Sequence, residues 1–216
     1  MAHGAQPRSY DSTGRRAQAL VNRARILAAA RSLFIAQGFA ATSVAAIAAA
    51  AGVSGPTVFA AFGSKVNLLK EAVETTLVGD TEPVPMAARA EMQHVHAAET
   101  AAEVLDRLAE LVVSRGSAVQ PIFAVMYAAR DGSPEIGALI DLLEEQRLSG
   151  ATALARTVAA RTGADDPDLV ADLRDCIWAC MSPALYEAFV VRRDWSPLRY
   201  RVWLRAALQI PLDAAT

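Results

Sequence analysis

Lysine is almost missing: the 21 basic residues comprise two lysines and nineteen arginines, beside only three histidines. With so many alanines in the chain, that bias is what a GC-rich coding sequence produces, so the arginine excess is not read as selection for phosphate binding. Cysteine is as scarce. Cys176 and Cys180 would lie one turn apart on a single helix, which fits two small buried hydrophobes rather than a disulfide framework. A metal site would need more ligands than the sequence supplies near them. His94 and His96 stand two apart, and on a helix such residues face nearly opposite sides and do not chelate together; His3 stands alone. No uninterrupted apolar run reaches the roughly 18 residues of a membrane span, and the N-terminus lacks the apolar centre of a signal peptide. A cytoplasmic protein with no membrane partner is expected. No stretch alternates β-branched residues as a strand would, so the fold class is all-α. A G-x-S-x-G elbow, a glycine-rich phosphate loop and paired carboxylates in a recognisable setting are also missing. Neither an enzyme nor a cofactor is expected.

What is present begins with apolar residues, 53% of 216, enough for a sizeable core in one domain or two small ones. The net charge of −2 is unevenly spread. Through Asp80, eight basic residues stand against four acidic ones, a net of +4, which leaves −6 for the remainder. A basic head on an acidic body is the asymmetry expected when the head meets phosphates and the body does not.

The stretch Thr42–Lys65, TSVAAIAAAAGVSGPTVFAAFGSK, reads as two short helices joined by a tight turn, with a third starting beyond it. Ser43 caps the first, in which Val44, Ile47, Ala48 and Ala51 form one apolar side. Gly52 ends it in the left-handed conformation, and Val53 points inward at the corner. Ser54 caps the second helix, Pro56 sits in its first turn, and Val58 and Phe62 recur at i, i+4 to hold it on the helices before it. Thr57, Phe59, Ala60 and Ala61 are left facing out. This is a helix-turn-helix over 43–62.

These residues resemble the DNA-binding domain of the TetR family of transcriptional regulators. The resemblance starts at Arg25-Ile26-Leu27 and runs through Ala30, Leu33-Phe34 and Gly38-Phe39. It continues through the helix-turn-helix to Ser64-Lys65 and Leu68-Leu69, about a third of the chain. A weaker echo lies in Ser182-Pro183-Ala184-Leu185-Tyr186, Trp195-Ser196-Pro197 and Trp203-Leu204. The resemblance implies a ligand-responsive regulator, most often a repressor, that binds a pseudo-palindromic double-stranded operator as a homodimer through its last two long helices. A small, largely apolar effector would release it. The DNA-facing set then comprises Arg15, Arg16, Thr42, Ser43, Ser54, Gly55, Thr57, Phe59 and Lys65. Thr42 and Ser43 stand at a helix N-terminus that favours a phosphate, Lys65 adds a full charge at another, and Thr57 and Phe59 occupy positions that touch backbone and bases in relatives. Arg15 and Arg16 either reach a phosphate or the minor groove or form a solvated helix end. Many relatives carry tyrosine at Phe59 and histidine at Ala61, and this reading helix has no Arg or Lys. Its methyls and single hydroxyl suit thymine methyls and groove shape better than bidentate contacts to guanine. The alternative is a small-molecule-binding dimer of the same fold with weak or lost operator specificity.

Along the chain, residues 1–14 read as a flexible arm, 15–80 as the DNA-binding domain and 81–216 as a helical ligand-binding and dimerisation domain. A first helix from about Arg16 to Gln37 is stopped by Gly38, and a fourth spans about Lys65 to Gly79. Glu82-Pro83-Val84-Pro85 breaks the chain at the domain boundary. A long helix is expected from about Ala87 to Arg115, ended by Gly116, and Pro121 starts a short one. Further helices run from Pro134 to Arg161, from Asp166 to Arg192 with a kink at Pro183, and from Pro197 to Gln209. Phe123, Met126, Tyr127, Trp178 and Met181 are the expected pocket lining, with core packing as the other reading. Trp195, Tyr200 and Trp203 either bury a dimer seam or cap the bundle.

Overall fold

The computed structural model describes residues 12–79, 84–163 and 166–215. Most of the N-terminal arm with His3, the side chain of Arg15, and the Glu82-Pro83 half of the expected boundary lie outside the described residues. The rest is helical with no strand: an all-α chain. It divides into two compact units at Ala72/Val73.

The first unit is built on α1 (Ser12–Ala41), which breaks at Gly38, where φ is +81° and the helix cannot continue. Ser43 caps α2 (Val44–Ala51) by accepting from the Ala46 N–H at 3.1 Å. Gly52, at φ +65°, ends it in the left-handed conformation, and the Val53 N–H bonds back to the Ala48 carbonyl. Ser54 then caps α3 (Gly55–Phe62), with Pro56 in its first turn. The axes of α2 and α3 meet at 104°, so the helix-turn-helix forms as its sequence predicts. Ile26, Leu27, Ala30, Phe34, Ile47, Ala48, Val58, Phe62, Leu68 and Leu69 close into one core. Each large side chain among them contributes ~1.5–3 kcal/mol by leaving water, and together they fix the pose of α3. Phe39 lies against Phe34 with ring centroids 5.6 Å apart.

α4 (Lys65–Val78) runs from the first unit into the second. The second unit continues with a 3₁₀ turn at Met86–Ala88, α5 (Ala90–His96), α6 (Ala101–Ala128), α7 (Pro134–Thr162) and α8 (Pro167–Cys180). It closes with α9 (Pro183–Tyr186), which passes into a π turn at Glu187–Val191, and with α10 (Pro197–Ala214). The long helix expected from Ala87 is broken at Ala97–Glu99, where Thr100 and Glu103 form a reciprocal capping box that restarts the chain as α6. Gly116 does not end α6 and Pro121 does not start a new helix; both lie inside it. Gly116 is there for packing: a Cβ on it would come within 2.1 Å of the Tyr186 ring. Pro183 does not kink a long helix but opens one, in the first turn of α9 behind the Ser182 cap.

Val104, Leu105, Leu108, Ala151, Leu154, Leu173, Ile177 and Leu204 lie in the core shared by α6, α7, α8 and α10. An 18-residue stretch within Ala101–Gly132 is, by length and composition, apolar enough to cross a membrane, at a mean hydropathy of 1.2. The helix also carries Glu103, Asp106, Arg107, Glu110 and Arg115 and supplies buried residues to the bundle. Trp195, Tyr200 and Trp203 gather around Phe189, whose ring lies tilted against Trp195 at 4.7 Å and Trp203 at 4.4 Å between centroids, and Tyr200 is fully buried. Cys176 and Cys180 are free thiols, the second buried. His96 bonds Thr157 at 2.8 Å while His94 stays exposed, so the two do not act together.

Candidate functional site

Two places in the chain have the shape of a site, one in each unit. In the first, α3 offers an outer surface made of Pro56, Phe59 and Ala60, with Phe59 56% exposed. The ring stands on the side of α3 opposite the packed Val58 and Phe62. Ser43 and Ser54 stand exposed at the N-termini of α2 and α3, where free backbone N–H groups and the helix dipole favour an anion. Each hydroxyl already serves as a cap: Ser54 accepts from the Thr57 N–H at 3.3 Å and meets the Thr57 hydroxyl at 2.7 Å. Gly55 and Thr57 are half-buried beside it, and Ala61, half-buried too, faces out less than its spacing predicts.

Thr42 and Lys65 prove to be structural. Thr42 is 1% exposed, and its hydroxyl donates to the Gly38 carbonyl at 2.7 Å. The Lys65 ammonium donates to the carbonyls of Phe39 at 2.9 Å and Thr42 at 3.0 Å and sits 4.2 Å from the centroid of the Phe39 ring. The break at Gly38 leaves carbonyls at the end of α1 without helical partners, and these two side chains satisfy that corner. Lys65 reaches carbonyls 26 and 23 residues away, whereas Thr42 bonds back locally to Gly38. Arg23 is likewise engaged, donating to the Ala61 carbonyl at 2.8 Å and pairing with Glu71. Arg16 is exposed.

Arg25 is a cation that sequence reasoning missed. Exposed on α1, it lays its guanidinium over the turn of the helix-turn-helix: a Cβ on Gly52 would come within 2.6 Å of its Nη2. That position lies beside the Ser54 cap in sequence, so a positive charge adjoins the turn into α3. Only the fold brings Arg25 and Gly52 together, and no local signal marks that pairing.

In the second unit, a cavity of about 120 Å³ opens around Gly116 and the Tyr186 ring. Its walls are apolar, with Met86, Met92, Leu108 and Val119 among them, and Arg115 is the one charged side chain lining it among the described residues. The break between α8 and α9, at Met181, Ser182 and Pro183, forms one wall. Met181 is thus the one expected pocket residue that lines it. Phe123 and Met126 are buried in the core, 6% and 0% exposed, because uninterrupted α6 carries them a turn beyond the cavity. Tyr127 donates to Glu144 at 2.8 Å, and Glu144 pairs with Arg147. Arg147 covers Trp178, its guanidinium 4.5 Å from the centroid of the indole ring. Trp178 is therefore an outer residue at 36% exposure. Burial first, and the bond to Glu144 second, push the Tyr127 hydroxyl up to about 12.

Arg115 reaches in two directions. Nη1 donates to the carbonyl of Leu77 in the last turn of α4, and Nη2 pairs with Glu91 on α5 at 2.8 Å. The Glu91 carboxyl is held below its ordinary value by its own backbone hydrogen bond and then by Arg115.

A capped helix-turn-helix with an exposed second helix, joined to further helices, is the arrangement of helix-turn-helix DNA-binding domains. Residues 26–72 match the family of bacterial regulatory proteins called tetR. No curated protein matches the sequence. Among solved structures, the fatty acid degradation regulator FadR from Bacillus halodurans is 15% identical, with a TM-score of 0.67 over 88% of this chain and 94% of that one. NalD, the secondary repressor of the MexAB-OprM multidrug efflux pump in Pseudomonas aeruginosa, is 18% identical, with a TM-score of 0.64 over 88% and 95%. A protein described as a transcriptional regulator from Saccharomonospora viridis, solved with choline, is 21% identical, with a TM-score of 0.61 over 87% and 95%. The head is a TetR-family domain, and the chain carries the TetR-regulator fold over most of its length.

Proposed function

We propose that the protein is a transcriptional repressor that binds a pseudo-palindromic operator as a homodimer and is released by a small, largely apolar effector. The observation that carries the reading is α3, locked by Val58 and Phe62 on one side and exposing Phe59 on the other. The ring and the neighbouring methyls of Pro56, Thr57 and Ala60 would read thymine methyls and groove shape in the major groove. Ser43, Ser54 and Gly55 would meet phosphates through their backbones, with Arg15, Arg16 and Arg25 supplying charge.

For the dimer, α10 supports the reading. Leu198, Val202 and Ile210 are 65%, 63% and 63% exposed, and with exposed Ala206 they recur every four residues along one side. Such a stripe is self-complementary about a two-fold axis. Two heads could then occupy half-sites about one DNA turn, roughly 34 Å, apart. The cavity around Gly116 is the effector site in this reading. An effector acts by favouring a conformer with the wrong spacing, to the extent of its differential affinity. The likeness to a repressor and to a protein solved with choline supports regulation and ligand binding. The absence of Arg and Lys from α3 also favours a second reading, a ligand-binding dimer with weak operator preference.

Fluorescence anisotropy on DNA flanking the protein's own gene, competed with unrelated DNA across a range of salt, tests the proposal. Binding that survives competition is expected. Equal, salt-labile binding to all DNA would favour the second reading.

A further inference from the structure

The walls of the Gly116 cavity call for an apolar ligand, but one feature of them does not. Arg115 lines it among methionine, leucine and valine side chains, with Gln120, Ser182 and Tyr186 as the other polar side chains among the described residues. A guanidinium in an apolar wall must be paired. At present its partners are the Leu77 carbonyl and Glu91. The two ends of the ion pair differ: the Arg115 side chain is 21% exposed and that of Glu91 is 53% exposed. Arg115 thus belongs to the cavity wall and Glu91 to the rim, where water can replace what it loses. Arg89 also acts on Glu91 electrostatically, so the carboxylate would still face a cation if Arg115 turned away. A planar guanidinium matches a carboxylate in a two-point fork that a carbonyl and a rim carboxylate use only in part.

Resting on the reading of this cavity as the effector site, we propose that the effector is a small organic acid, its apolar body filling the cavity and its carboxylate paired with Arg115. The size follows from the volume: about 120 Å³ is somewhat less than the roughly 150 Å³ that accepts a benzene ring. A body of five or six carbons fits, and the flexible Met86, Met92 and Met181 accommodate the remainder. Binding has a built-in consequence. The acid competes for the guanidinium that closes the last turn of α4, a helix that begins at Lys65 in the head. Occupancy of the cavity therefore loosens the end of the helix that carries the chain out of the head.

Calorimetric titration of the full-length protein with hexanoate, hexanol and hexylamine at matched ionic strength tests the proposal. Hexanoate should bind about tenfold or more tighter than hexanol, a gain of the size expected from a charge-assisted fork, and hexylamine should be rejected. In Arg115→Gln the acid's advantage should vanish while hexanol binds as before, and Glu91→Gln, which removes the competing carboxylate, should tighten hexanoate several-fold. Circular dichroism melts confirm that both variants fold. Equal affinity for acid and alcohol in the wild type, or an acid preference that survives Arg115→Gln, overturns the organic acid while leaving the cavity as a ligand site. Failure of all three probes to bind overturns the effector reading of the cavity along with it.

Discussion

Arg25 and Lys65 carry the same charge and have opposite duties, and binding measurements can tell them apart. Lys65 spends its ammonium on two carbonyls at the corner of α1, so Lys65→Ala should lower the melting temperature and destabilise the head by about 1–3 kcal/mol. The salt slope of its DNA binding should not change. Arg25 is exposed beside the turn. Arg25→Ala should leave the melting temperature alone, weaken binding to all sequences alike, and lower the slope by about one per subunit. Gly116→Ala should destabilise the body by roughly 1–3 kcal/mol or more in thermal unfolding, because the Tyr186 ring occupies the space of the new methyl. Tyr127 has a pH signature. Its folded value is raised to about 12 from roughly 10, so the stability it contributes is fully present below pH ~10 and is lost as pH rises through about 12. Burial also pushes up the hydroxyl of Tyr200, so ultraviolet titration at the tyrosinate band should show two tyrosines ionising late, and Tyr127→Phe should remove the earlier of those two steps. The cap residues Ser43, Gly52 and Ser54 were legible in the sequence because a cap acts on its own neighbours. Lys65 and Arg25 were not, since each answers to a group that is distant in sequence.

At the scale of elements, the helix-turn-helix is over-determined by local signals, so the loss of one should be graded. Ser54→Ala removes the cap of α3 and should cost about 1 kcal/mol by chemical denaturation, with weaker DNA binding as α3 frays at the end nearest the DNA. The same logic explains where element reading failed. Gly116 and Pro121 are helix breakers by propensity, yet α6 runs through both, because the ring of Tyr186 and the bundle around them offset what propensity costs. Thr100 and Glu103 carried a capping box within an apparently continuous helical stretch, a start signal overlooked in favour of periodicity. Pro183 was read as a kink when the preceding Ser182 marked it as the first turn of a new helix. The cavity lay out of reach for the same reason as α6: its lining follows from which face of an unbroken helix meets the α8–α9 break.

For the whole molecule, the expected all-α class is what the chain folds into, its two compact units divide at Ala72/Val73 rather than at the expected 80/81, and the excess of basic residues before Asp80 accords with DNA binding by the first unit. Assembly is testable apart from DNA. Val202→Asp places a charge in the exposed stripe of α10 and should shift the protein from dimer to monomer in sedimentation velocity, with operator affinity falling by far more than a surface change elsewhere would cause. The most direct measurement for the account as a whole is hydroxyl-radical footprinting of the DNA upstream of the protein's own gene, with wild type and Phe59→Ala side by side. The account predicts two protected half-sites spaced about one helical turn apart, with protection by the variant losing its preference for that segment. Uniform protection without half-sites, or a wild-type pattern that Phe59→Ala leaves untouched, would contradict operator reading by α3.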